Sequence, residues 1–430
     1  MRRHPALPTL LLCTALAVPA AHAAAPDAPD ALPDDLDALS LADKAPSEPA
    51  ATARPWRLFV EGSFRRTSID DPDSRYESHR ASIDGRVDAT LAPGLRGVFS
   101  DRLDLRHSNR RGIEDDVNTV REAYLSWAPT DHQVFDLGRV NVRHGSAYGY
   151  NPTDWFKAGA LRSIVSLDPA VLRENRQGTV VLQGQQLWSA GSLTAAYSPR
   201  LADKPNAGTF SLNVGATNPN NRWLLVGSTQ FSERFNTEVL LYGGEGTREQ
   251  LGLNLSGLVG DATVVFGEFS TGRGRSLIDQ ALDRPGDRPY RSRAAVGLTY
   301  TTSFNLSLTA EAEYNEAGPT RSQWRALSGV NPLGQLQLLN TSQTLQDLPA
   351  RSAGFLYAMW KDALVHRLDL SAFVRRENET RSRVQWLEAR YHWDQVDLVA
   401  QWQQFSGKRD SIFGSVPQSR TIELAVRFYL

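Results

Sequence analysis

The chain has 430 residues, 47 Lys and Arg against 48 Asp and Glu for a formal net charge of −1, one cysteine, two methionines and ten tryptophans. A near-neutral charge gives nucleic-acid binding no support, a lone thiol excludes a disulfide framework or a thiolate metal site, and a mean hydropathy of −0.39 fits a large globular core poorly. After the first few dozen residues nothing supplies the about 20 consecutive apolar residues of a transmembrane helix, so any membrane crossing is made by strands.

Arg2 and Arg3 precede an apolar run from Leu10 to Val18, and Ala21, His22 and Ala23 give a small-x-small pattern. This predicts a signal peptide over 1–23 and an exported chain beginning at Ala24. Cys13 lies inside the apolar run, so no thiol survives cleavage, which suits an oxidising periplasm. Residues 24–55 are dominated by Ala, Pro and Asp and bury too little apolar surface to offset ordering entropy; a disordered periplasmic leader is expected.

From Trp56 onward the period is two. In 79–91, Ala81, Ile83, Val87, Ala89 and Leu91 oppose Arg80, Ser82, Asp84, Arg86 and Asp88. Leu306, Leu308, Ala310 and Ala312 alternate with Ser307, Thr309, Glu311 and Glu313; Leu368, Leu370, Ala372 and Val374 alternate with Arg367, Asp369, Ser371 and Arg375. Short turns near Ala92, Pro129, Ser189, Ser232, Gly260, Thr302 and Trp360 alternate with polar loops at 67–78, 107–116, 141–177, 272–292, 316–350 and 406–418. Tryptophans 56, 127, 188, 223, 360 and 393 fall at strand ends, as interfacial girdles require. The pattern predicts an all-β transmembrane antiparallel barrel over 56–430, with short periplasmic turns and long extracellular loops. Nineteen strands can be found naively, but the turn registers counted from the two ends agree only if 209–221 is extracellular loop, which leaves about 18.

The last strand, RTIELAVRFYL, sets Ile422, Leu424, Val426, Phe428 and Leu430 on one face, expected to meet lipid while the strand closes against Trp56–Arg65. Those five residues also resemble the assembly signal of outer-membrane barrels, although Leu430 stands last and Phe428 is displaced by two. Outer-membrane lipid, the barrel assembly machinery and small hydrophilic solutes are the implied partners. No cofactor or metal is implied, and no pattern speaks to oligomeric state.

No plug-sized N-terminal domain is present, so the lumen is expected to be narrowed by the long loop 141–177. It carries Arg143, Asp154, Lys157, Arg162, Asp168, Arg173, Glu174 and Arg176, with turn signals at Gly145, Gly149, Asn151–Pro152 and Asp168–Pro169. These charges either line the pore or form a solvated extracellular cap. On the wall, alternation directs Arg57, Arg65, Arg80, Arg86, Arg96, Arg102 and Arg106 inward together with Glu61, Asp84, Asp88 and Asp104, as an ion-pair ladder or a solute track. Glu311, Glu313, Arg367, Glu388 and Arg390 are further wall candidates.

The stretches FDLGRVNVRHGSAYGYNPTDWF and SLDPAVLRENRQGTVVLQG resemble the G-R…N-P-x-D and D-P…R-E-x-R pattern of porin-like outer-membrane channels related to the alginate-export type. The resemblance covers about forty residues. It implies a monomeric eighteen-strand barrel with an arginine-rich lumen conducting anionic or polar solutes, and a structural or pore-lining role for Arg139, Asn151, Asp154, Asp168, Arg173, Glu174 and Arg176. A gated polysaccharide exporter and a non-conducting structural barrel are the alternatives. An outer-membrane lipid hydrolase would need a nucleophile beside an imidazole. His392 and His366 have no such serine in sequence, and His79, His107, His132 and His144 fall near strand ends or loops.

Overall fold

The computed structural model describes residues 54–69, 74–110, 115–232, 234–330 and 333–430. The expected signal peptide and all but the last two residues of the expected leader lie outside them.

Strict alternation of apolar and polar side chains can bury its polar face only by enclosing it, and the chain does so with eighteen strands. They are β1 (Trp56–Ile69), β2 (Arg75–Ala92), β3 (Leu95–Ser108), β4 (Val117–Thr130), β5 (Gln133–Val140), β6 (Thr179–Trp188), β7 (Gly191–Ser198), β8 (Arg222–Ser232), β9 (Phe235–Gly244), β10 (Thr247–Val259), β11 (Thr263–Arg273), β12 (Tyr290–Thr301), β13 (Leu306–Asn315), β14 (Ser352–Trp360), β15 (Leu368–Glu377), β16 (Arg383–His392), β17 (Val396–Ser406) and β18 (Gln418–Tyr429). Each pairs antiparallel with its sequence neighbours, and β1 pairs with β18, so no edge is left in the sheet. Closure is in register from Phe59↔Tyr429 to Thr67↔Thr421, and the Leu430 amide donates to the Leu58 carbonyl at 3.0 Å.

The outward face is apolar. Ile422, Leu424, Val426, Phe428 and Leu430 are all exposed, as are Ile83, Val87 and Leu91 on β2 and Leu308 on β13. An apolar surface of this extent around a closed barrel is the surface lipid requires. Trp56, Trp127, Trp188 and Trp393 are exposed at the short-turn end and Trp223 at the other, the two levels of an interfacial girdle.

Both chain ends of the barrel and most short connections share one end, the periplasmic end of this architecture; the long loops share the other, together with the two-residue turn 245–246. Residues 209–221 fall within the long connection 199–221, which holds the short helix α2 (Val214–Thr217) and no strand. The other loop helices are α1 (Pro169–Glu174) in 141–178, α3 (Leu277–Ala281) in 274–289, and α4 (Arg321–Val330) and α5 (Gly334–Leu345) in 316–351.

Two apolar clusters occupy the inside. One joins Phe355, Tyr357, Phe373 and Trp386 of the β14–β16 wall to Ala147, Tyr150, Leu277, Trp324, Leu338 and Ile412 from the loops. The other joins Val181, Leu224, Val226, Leu240 and Tyr242 of β6–β9 to Val142 and Phe156. The long loops therefore fold inward, and their apolar side chains pack on these two arcs of the wall.

Candidate pore constriction

A third arc, β18 and β1–β4, is charged. Arg80 donates to Glu61 and Glu423 at 2.8 Å each. Arg102 reaches Glu61 at 2.8 Å, Asp104 at 2.9 Å and Asp84 at 3.3 Å. Arg427 reaches Glu61 at 2.9 Å and Arg65 reaches Glu423 at 2.7 Å. Arg86 pairs with Glu122 and Arg96 with Asp88. Most are cross-strand partners, with Arg102 facing Asp84 and Ser82 facing Asp104 in the β2–β3 register, while Arg102 and Asp104 are two apart on β3. Arg121 and Glu122 are adjacent in sequence, yet Arg121 bonds Asp84 at 2.6 Å while Glu122 bonds Arg86. A register shift between Ser100 and Asp101, opposite Glu122 and Val120, leaves Arg121 without a ladder partner and turns both side chains inward.

Loop 141–178 crosses from β5 and β6 to the far wall. Its tip is held by carboxylates. Glu268 of β11 accepts from the Ala147 amide at 2.7 Å, Asn151 Nδ2 at 3.2 Å and Thr153 Oγ1 at 3.2 Å. Glu311 of β13 accepts from the amides of Tyr148 at 2.5 Å and Gly149 at 2.9 Å. Arg375 bridges Glu313 at 3.0 Å and the Gly149 carbonyl. These bonds satisfy loop amides that the inward fold takes out of water, and leaving such groups unpaired would be costly. They need backbone at close approach: Gly145 has φ +86° and an added Cβ would lie 2.2 Å from Glu268 Oε1, while one on Gly149 would lie 2.3 Å from Glu313 Oε1.

On the return, Asp168 caps α1, accepting from Ala170 N at 2.9 Å and Val171 N at 3.2 Å, with Pro169 at its first turn. Its other oxygen accepts from Tyr357 Oη at 2.9 Å. Burial first, then the Glu388 carboxylate, push the Asp168 carboxyl up from its ordinary value. The end of α1 touches the charged arc: Arg57 donates to Glu174 at 2.8 Å, and Arg121 to Asn175 Oδ1 at 2.9 Å. Burial works against the Glu174 charge, but Arg57 holds that carboxyl below its ordinary value.

The remaining loop candidates have mainly structural contacts. Arg176 pairs with Asp154 at 2.5 Å and reaches Gln346 Oε1 at 3.0 Å. Lys157 donates to the Asn151 carbonyl at 2.6 Å and lies 4.7 Å over the Tyr150 ring; burial pushes its ammonium down to about 8, with Asp347 opposing. Tyr150 Oη in turn donates to Asp347 at 2.5 Å, so this loop and the 316–351 loop interlock. Arg139 donates to the carbonyls of Val120 at 3.2 Å and Leu212 at 2.7 Å, and Arg162 to those of Gly208 at 2.5 Å and Ser211, anchoring loop 199–221. Arg173 donates to the Gly145 carbonyl at 2.9 Å, and burial lowers its affinity for a proton. Among the described residues neither Arg143 nor Arg173 has a carboxylate partner, and Arg143 Nε is buried with no acceptor.

Of the wall candidates, Glu388 and Arg390 pair with each other at 2.9 Å on the inner face. Arg367 is a correction. It sits at φ +69° in the turn before β15, paired with Asp394 at 2.9 Å, because the strand begins one residue later, at Leu368. His392 is held between Asp397 at 2.9 Å and Asp369 at 3.2 Å, and His366 by Asp362 at 2.9 Å. Glu268 escaped the sequence reading although it falls on the polar positions of VVFGEFS; the alternation around it is blurred by Gly267 and two consecutive valines.

No protein-family model and no curated protein matches the chain. Solved structures do. Acinetobacter baumannii OccAB1 aligns with a TM-score of 0.55 and 8% identity over 87% of this chain and 96% of that one. Pseudomonas aeruginosa OccK5 (OpdH) gives 0.54 and 9% over 87% and 97%, and A. baumannii OccAB4 gives 0.54 and 9% over 87% and 97%. All three are outer-membrane porins. The fold is that of an outer-membrane porin. At this identity the likeness extends to the barrel architecture and to no substrate.

Proposed function

We propose that the chain is an outer-membrane channel for passive passage of hydrophilic solutes, anions preferred, with loop 141–177 as its constriction. On this reading residues 1–23 are removed near Ala23 and 24–55 form a periplasmic leader. The observation that carries it is the docked loop. An inward fold held by Glu268, Glu311 and Arg375 on one side and touching Arg57 and Arg121 on the other narrows the lumen at a defined level. Most charges there cancel: Asp154 with Arg176, Glu174 with Arg57, and the carboxylates of the charged arc with its arginines. Glu268, Glu311 and Asp168 are taken up by loop amides and hydroxyls, and the anion preference of this reading rests on Arg143 and Arg173, which have no carboxylate partner among the described residues.

Arg57 and Glu174 also favour a second reading, a gated exporter. Their side chains are 47% and 48% exposed, so solvent reaches the latch between α1 and β1, and a wide solute would have to open it.

Single-channel conductance in a planar bilayer under a salt gradient separates the two, measured on the native chain and on one with Arg173, Glu174 and Arg176 replaced by alanine. A steady open current whose anion preference falls in the variant supports the open channel. A correctly folded barrel without current sinks that reading and favours the gated one.

A further inference from the structure

The periplasmic connections are short: 93–94, 131–132, 189–190, 260–262, 302–305 and 393–395. The turn 361–367 between β14 and β15 is seven residues long and built differently. The Val365 amide donates to the Ala363 carbonyl at 2.6 Å across Leu364, which sits at φ +62°, so Leu364 is the centre of a γ-turn of the rare, strained hand. A bulky side chain at positive φ is unfavourable, and glycine or asparagine would fill the position with less strain. The surroundings hold it there. Ala363 is fully buried, its amide donates to the Leu368 carbonyl at 2.6 Å, and Asp362 Oδ1 accepts from the Arg367 amide at 2.7 Å. The result is a fixed knob with Leu364 76% and Val365 54% exposed.

Three observations say what covers the knob. It continues the lipid-facing band: Trp360, four residues before Leu364, donates its indole N–H to the Phe304 carbonyl at 3.1 Å, and those two rings stack edge-on at 6.1 Å beside exposed Leu356 and Leu308. Lys361 has no ion pair among the described residues, and Arg367 has only the exposed pair with Asp394. Aliphatic side chains flanked by cations at the membrane surface match a leaflet bearing anionic phosphodiester headgroups, where basic side chains reach the phosphates while apolar ones insert.

We propose that the 361–367 turn is a lipid anchor: Leu364 and Val365 insert into the periplasmic leaflet, and Lys361 and Arg367 hold anionic phospholipid headgroups. This goes beyond the channel reading and rests only on the barrel's place in a membrane. The test uses methyl NMR of the Leu- and Val-labelled chain in nanodiscs of phosphatidylcholine with phosphatidylglycerol. The Leu364 and Val365 methyls are expected to show cross-relaxation to lipid acyl protons comparable to that of Leu356. In Lys361→Gln/Arg367→Gln, or in phosphatidylcholine alone, those signals should fall at least twofold, with Leu356 unchanged. Leu364→Gly relieves the positive φ, so this variant folds, and its Val365 methyls should lose most of their lipid signal. Methyls that relax only to water overturn the anchor. Methyls shielded only when a periplasmic protein is added overturn it as well, in favour of protein docking. None of these readouts depends on conductance, so a non-conducting barrel would leave the result standing.

Discussion

Two glycines and a lysine decide how firmly the constriction is set. Gly145→Ala and Gly149→Ala would each drive a methyl into a wall carboxylate, and at Gly145 a left-handed backbone adds about 1–2 kcal/mol. The expected outcome is an undocked tip, with larger and noisier conductance in bilayer recordings. Gly354→Ala, where a Cβ meets nothing within 4 Å, is the matched control and should leave the trace unchanged. Lys157 supplies a pH signature. Burial sets its pKa in the folded chain near 8, below the ordinary value of about 10.4, so the cost of burying its charge is fully present below pH 8. That cost fades as pH rises from about 8 to about 10.5, a change on the order of 3 kcal/mol at most. Relative to Lys157→Met, the melting temperature of the native chain should therefore climb across that window, and parallel melting curves would refute the assignment.

At the scale of elements, much was legible because the barrel enforces one rule, period two, on every strand. The closing strand shows it. Alternation alone divides Glu423, Ala425 and Arg427 from Leu424, Val426 and Phe428, and the structure turns the first group inward and exposes the second. Leu424→Arg on the lipid face should cost about 2–4 kcal/mol in urea unfolding from lipid vesicles if it lies near the bilayer midplane. What alternation could not reveal is where the rule breaks. Arg121 and Glu122 both face inward only because of a bulge, and Arg367 drops out of its strand only because the turn before it is long. The loop was harder still. Its charges were visible in sequence, but their partners lie far along the chain, as with Asp168 and Tyr357 or Ala147 and Glu268, and no local pattern encodes such pairings.

At the scale of the molecule, the lumen divides its labour by arc. The walls of β6–β9 and β14–β16 carry the apolar clusters on which the inward-folded loops pack, while β18 and β1–β4 keep a buried network of arginines and carboxylates. Such a network is costly to desolvate and costly to break, but its charges are satisfied within it and leave little field for a passing solute. Stability and selectivity should then separate between the arc and the loop. Arg102→Ala strips Glu61, Asp84 and Asp104 of a shared partner, so a loss of about 3–5 kcal/mol in unfolding free energy is expected, with the anion preference of surviving channels little changed. Arg143→Ala with Arg173→Ala removes two of the four loop cations that lack carboxylate partners among the described residues, Lys157 and Arg162 being the others, tied to backbone carbonyls. The reversal potential under a salt gradient should move toward zero, while the loss of unfolding free energy stays well below that of Arg102→Ala, since Arg173 gives up only bonds to loop carbonyls. If instead the arc variant shifts the reversal potential and the loop variant does not, the solute track runs along the wall, and the loop is a strut rather than a filter.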